Sequence, residues 1–215
     1  MIGFAIGAAV AAVGLVVLTA DGAAHLHARG PMNTGHGELV CRDCHEAAPG
    51  TVRQQLQAKV AGWLGRRPPH ADVGYRAVDN RACAACHERA DDRHPVDRFL
   101  EPRFAAARAA VAPHQCTSCH REHRGARVTV ADLGYCRHCH ADLTLPGDPL
   151  EVSHERLIAD GRWDTCLGCH DFHGNHAYRA PRALADAVTP ATLRRYAAGA
   201  PSPFGPPQIP SRPSR

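Results

Sequence analysis

All ten cysteines of the chain fall in one repeated pattern, Cys-x-x-Cys-His. The five copies are Cys41-Cys44-His45, Cys83-Cys86-His87, Cys116-Cys119-His120, Cys136-Cys139-His140 and Cys166-Cys169-His170. Two thiols three positions apart share one side of a helical turn. From there they can form thioethers with the two vinyl groups of a single porphyrin, and the next residue is carried beneath the iron as its proximal imidazole. The pattern therefore predicts five covalently attached haem c groups. Four-cysteine zinc sites use such pairs two at a time, and five pairs do not divide that way. Neither a zinc site nor a thioredoxin-like redox motif needs a histidine after every pair.

Sixteen histidines are present, eleven more than the motifs use. An iron gripped from both sides needs one further imidazole. Two candidates form an internal repeat: Cys116-Thr-Ser-Cys-His120-Arg-Glu-His123 parallels Cys166-Leu-Gly-Cys-His170-Asp-Phe-His173. In each, a second histidine follows the proximal one by three residues, on roughly the same helical face. It is badly placed for its own iron and well placed for a neighbouring one. His36 and His154 lie in loops before the first and fifth motifs, while His94 (before Pro95) and His70 (after Pro69) suit the second and third haems. The distal candidates are thus His36, His70, His94, His123, His154 and His173. His138, inside a Cys-x-x-Cys pair, is expected at the surface, and His114 and His176 are held in reserve. Apart from Met1, Met32 is the only methionine, so methionine ligation is disfavoured.

The elements that must position these residues are sparse. With five Phe, two Trp and four Tyr in 215 residues, a core of ordinary size is out of reach. The expected fold is mostly irregular with short α-helices, a multihaem cytochrome c wrapped around stacked haems, plus one amino-terminal transmembrane helix; without haem it should not fold. Residues 1–20 form the anchor (or a signal peptide), 21–34 a linker, 35–180 the pentahaem domain, 181–198 a short helical segment and 199–215 a disordered Pro/Ser/Arg tail without a core. Thr51 should cap a helix with apolar positions Val52, Leu56, Val60, Trp63 and Leu64, ended by Arg66-Arg67-Pro68-Pro69. Pro102 should open a second helix through Val111, and Pro190, after Thr189, a third. Strand signals are weak.

Met1 to Ala20 carries no charged side chain, and nineteen such residues span roughly 28 Å, close to a bilayer's hydrocarbon core. An uncleaved anchor is favoured over a cleavable signal, which would have a basic leading region. Covalent haem attachment takes place outside the bacterial cytoplasmic membrane, so the expected location is the periplasmic side of the inner membrane, tethered by a single pass, or alternatively the periplasm after secretion. The formal charge is +4, and Lys59 is the only lysine among 25 basic residues. Haem propionates offset such a surplus and favour arginine forks, so nucleic-acid binding is not expected.

The repeats with added histidines, the short linkers and the Cys-His-Arg-Glu-His-Arg-Gly stretch (119–125) resemble the class III family of multihaem c-type cytochromes, over roughly Gly35 to His176. That resemblance implies little regular structure, bis-histidine irons, low potentials and an electron carrier. The motif intervals of 42, 33, 20 and 30 residues depart from the simpler three- and four-haem members. Multihaem enzymes often mark a catalytic haem by changing its motif; here all five end in histidine, so no catalytic residue is expected. Redox proteins and the membrane are the expected partners, with quinol a further candidate. The alternative is a quinol-oxidising or bridging cytochrome subunit of a membrane respiratory complex, similar to the five-haem subunit of alternative complex III or to cytochromes feeding periplasmic reductases. In that reading His25 and His27 sit near the quinol head group.

Overall fold

The computed structural model describes residues 2–19, 30–67, 72–87 and 91–209. Its helices are short except at the amino end. Helix α1 (Ile2–Thr19) is built from Gly, Ala, Val, Ile, Leu and one Phe, ends on Thr19, and carries no charge. Its large apolar side chains from Ile2 to Val17 are exposed, Phe4 at 85 %. Among the described residues no helix is long and apolar enough to cross a membrane. The 18 described residues of α1 reach about 27 Å.

Helices α2 (Cys41–Cys44), α4 (Asn80–His87), α6 (Cys116–Cys119), α7 (Arg137–His140) and α9 (Cys166–Cys169) each hold all or part of one Cys-x-x-Cys-His motif. Between them lie α3 (Val52–Trp63), α5 (Ala105–Val111), α8 (His154–Ala159) and α10 (Pro190–Ala197). The chain is mostly helical and irregular. Among the described residues there is no strand, only isolated bridges between Ala47 and Tyr75 and between His176 and Pro207.

The three helices expected from sequence are present, each for the expected reason. Thr51 caps α3 in a reciprocal box with Gln54. Pro102 opens a 3₁₀ turn (Pro102–Phe104) that runs into α5, and Thr189 caps α10 with Pro190 in its first turn. The orientation of α3 is less ordinary. Its buried residue is Gln55, which donates to Ala48 O and Gly50 O at 2.9 and 3.0 Å and accepts from Gly74 N at 3.0 Å. The apolar stripe of Val52, Leu56, Val60, Trp63 and Leu64 points the other way, with Trp63 77 % exposed.

The apolar cluster among the described residues is small: Leu133, Leu193 and Phe204, flanked by Leu167, Tyr178, Val188 and Tyr196. It corrects one expectation. Composition predicts no core in segment 199–215, yet Phe204 is only 8 % exposed. A Pro-rich average hides one aromatic ring, and that ring finds Tyr178 and Tyr196 edge-on at 5.0 and 5.9 Å. Gln208 and Ile209 are tied to Asn175 by three hydrogen bonds of 2.7–3.0 Å. Residues 210–215 of that tail lie outside the described residues.

Candidate metal-binding histidine pairs

Four of the motif histidines, His45, His120, His140 and His170, donate their backbone N–H to the carbonyl of the first cysteine at 2.8–3.0 Å. This single turn fixes the imidazole relative to both thiols. All ten cysteines are free of disulfides.

Each of the five motif histidines then faces one histidine from elsewhere in the chain. His45 faces His123 with ring centres 6.4 Å apart, His87 faces His36 at 5.9 Å, and His120 faces His173 at 6.1 Å. His140 faces His94 and His170 faces His154, both at 6.2 Å. Two imidazoles bound to opposite sides of one iron, with bonds of about 2 Å and ring centres about 1.2 Å further out, stand about 6.4 Å apart. A stacked contact in the same molecule is far closer: His94 lies on Phe172 at 4.2 Å. Ordinary aromatic neighbours also fall between about 4.5 and 7 Å. What distinguishes these pairs is that every motif histidine has one, and each pair draws its second member from outside the motifs.

The second members are oriented through Nδ1, which leaves Nε2 for the gap between the rings. His36 donates to Glu122 at 2.6 Å, His173 to Asp92 at 3.0 Å and His154 to Asp148 at 2.9 Å. His94 and His123 donate to the carbonyls of Phe172 and Gly30 at 2.6 and 3.4 Å. On the motif side, His45 and His120 donate to the carbonyls of Arg76 and Arg127. Partners of this kind set the tautomer and ring direction of metal-bound histidines.

Two backbone seams build this arrangement. Residues 30–36 run along 121–125: Asn33 accepts from Arg124 N and donates to Arg121 O, its N–H reaches Glu122, and Gly125 N reaches Pro31 O. Residues 92–94 meet 172–174 in the same way, where a side chain on Gly174 (φ +69°) would run into Arg93 within 2.6 Å. Each seam joins one histidine of the internal repeat, His123 or His173, to an upstream histidine, His36 or His94.

The electrostatics suit neutral imidazole ligands. Burial lowers the pKa of His87, His94, His120 and His170, which keeps a lone pair free at neutral pH. Cys83 and Cys116 share a hydrogen bond that raises the first thiol and lowers the second, and Cys136 and Cys166 do the same. Those contacts bring the leading cysteines of motifs two and three, and of motifs four and five, side by side. The fifth pair opens on a cavity of about 500 Å³ lined by His154, His170, Cys169, Leu150, Pro149, Pro181, Arg179 and Arg182. Two imidazoles, a thiol, apolar walls and two guanidinium groups form a donor set that fits a c-type haem with its propionates. Beside the third motif, His114 Nδ1 is buried with no protein partner.

Residues 66–141 match the family model described as Cytochrome c3. The match supports a multihaem c-type cytochrome. Cytochrome c3 proteins carry electrons on several haems, and the matched stretch holds the second, third and fourth motifs. It is narrower than the Gly35–His176 span read from the sequence. No curated protein and no solved structure matches the chain.

Of the distal candidates, five stand opposite motif histidines, while His70 lies outside the described residues, as do His25 and His27. Sequence order suits His94 to the second or third haem, but in the structure it faces the fourth motif, because the seam with Phe172 carries it there. The shared helical face proposed for His120 and His123 is also corrected: α6 ends at Cys119, and His123 adopts a left-handed φ of +61°. His138 is half-buried rather than exposed. His176 is engaged on both nitrogens, by Asp171 at 2.8 Å and Ser202 at 3.3 Å. The sequence reading missed Glu122, Asp92, Asp148 and Phe172. Glu122 and Phe172 sit inside the two repeat copies, just before His123 and His173, and that position was the available signal.

Proposed function

We propose that the chain is a membrane-tethered, periplasmic electron carrier with five haem c groups, each iron held by two histidines. The observation that supports this reading is the set of five facing pairs, with ring centres 5.9–6.4 Å apart. By this assignment Cys41, Cys44, His45 and His123 hold the first haem. Cys83, Cys86, His87 and His36 hold the second, and Cys116, Cys119, His120 and His173 the third. Cys136, Cys139, His140 and His94 hold the fourth, and Cys166, Cys169, His170 and His154 the fifth. Bound haem supplies a one-electron couple between ferric and ferrous iron.

The residues of the chain do the rest. The paired imidazoles would hold each iron from both sides, so that little would rearrange between oxidation states and no position would be left open for a substrate. Arg179 and Arg182 at the fifth site offer planar forks to propionate carboxylates. The leading cysteines of motifs two and three, and of motifs four and five, lie side by side, which would place those haems close together. The uncharged, outward-facing surface of α1 suits a lipid environment. Redox proteins are the proposed partners.

Mass spectrometry of mature protein should give five covalent haem additions, and the near-infrared magnetic circular dichroism band should be that of bis-histidine iron. Reduced protein should bind no carbon monoxide, while His123→Ala should bind one equivalent. Stoichiometric binding by the wild type would refute the carrier assignment.

A further inference from the structure

We propose that Glu122, Asp92 and Asp148 divide the five irons into two electrochemical groups, lowering the potentials of the second, third and fifth. The inference rests on the bis-histidine reading above. Within that reading all five sites have the same ligand atoms, so differences must come from what the ligands touch. The distal histidines of sites two, three and five, His36, His173 and His154, donate Nδ1–H to carboxylates at 2.6, 3.0 and 2.9 Å. Those of sites one and four, His123 and His94, donate to neutral backbone carbonyls.

An anion on Nδ1–H draws the proton outward and gives the ring imidazolate character. The ring becomes a stronger donor and favours the ferric ion. A neutral carbonyl does this more weakly. The three carboxylates are half-buried: Asp148 is 15 %, Asp92 19 % and Glu122 29 % exposed at the side chain. Their charge is therefore less screened than at an open surface. They are also fixed in place. Asp148 accepts from the backbone N–H groups of Leu150 and His154, and Glu122 from that of Asn33. Site three has the strongest combination, since its proximal His120 also donates to Arg127 O at 2.8 Å. The predicted order places site three lowest, sites two and five next, and sites one and four highest. An electron entering the protein comes to rest at site one or four.

Glu122, Asp92 and Asp148 are positioning residues, so the test reads potential, not activity. Wild-type holoprotein is first checked for five haems and the bis-histidine near-infrared band; failure there overturns the ligand assignment itself. Glu122→Gln, Asp92→Asn and Asp148→Asn are then titrated potentiometrically with site resolution by NMR. Each should shift the ferric–ferrous equilibrium of its own haem about tenfold toward ferrous, about 59 mV upward for a one-electron couple, with a smaller rise at site four in Asp92→Asn because Asp92 also accepts from His94 N at 2.8 Å. Glu122→Asp retains the charge and should keep the second potential low. The three variants lie in separate segments, so loss of one to misfolding leaves two tests. Variants with the haem count and near-infrared band intact but midpoints unmoved, or moved downward, would overturn the proposal.

Discussion

Replacing Arg127 by alanine should loosen the carboxyl-terminal helix from the loop that orients His120. The guanidinium donates to Tyr196 O at 2.6 Å and Ala200 O at 2.7 Å and lies 4.3 Å from the centre of the Tyr196 ring. Its own carbonyl accepts from His120 Nδ1. Two charge-assisted bonds of about 1.5 kcal/mol each and a cation–π contact of about 0.5 kcal/mol give roughly 3 kcal/mol once water reaches part of the freed carbonyls. The backbone bonds from Arg127 N and Val128 N to Ala197 O survive the change, so the segment loosens rather than unfolds. For a domain of this length, about 3 kcal/mol lowers the melting temperature by roughly 6–12 °C. Arg127→Lys keeps the charge without the fork and should lose about half as much. Thermal melting of the holoprotein followed by circular dichroism gives the size, and limited proteolysis across 190–209 locates it. An alanine variant that melts with the wild type and resists protease equally well would show that the guanidinium is not the tie.

Gln55→Ala removes three hydrogen bonds that pin the loops at 48–50 and 74, and should cost about 2 kcal/mol, read as a lowered denaturant midpoint. The Asp148 carboxyl is held below its ordinary range, first by the backbone N–H groups of His154 and Leu150 and then by the His154 side chain. A folded-state value below the unfolded one stabilises above the unfolded pKa and is lost as pH falls through the folded one. Hydrogen exchange in the 148–154 loop should therefore accelerate only on acidification below the usual carboxylate range, and Asp148→Asn should abolish that step. The rings of His94 and His140 are nearly perpendicular, at 88°, while the other four pairs lie between 23 and 43°. Oxidised protein should show one low-spin signal of much larger anisotropy in electron paramagnetic resonance. If His94→Ala leaves that signal in place, the pairing of His94 with His140 is wrong.

Local chemistry was readable from the chain and long-range partnership was not. Cys-x-x-Cys-His fixes a helical turn by itself, and Thr51 with Gln54 or Thr189 with Pro190 fixes a helix start, because every group involved lies within a few residues. The repeat around His123 and His173 also pointed to the right residues. Which motif each one faces depends on seams between segments far apart in sequence, and spacing carries no information about those. Single carboxylates such as Asp92 and Asp148 have no pattern at all until a histidine is folded against them. Phe204 shows the converse limit, since composition averaged over a Pro-rich stretch conceals the one residue that packs.

The crossed order of the histidine partners bears on how the protein is made. A nascent chain presents His45 long before His123 exists, and His120 before His173. Only His154 and His170 belong to one short stretch. Completion of the front of the molecule thus waits on the rear, and a truncation that removes residues beyond 172 strips the third motif of its partner while leaving that motif's own cysteines untouched.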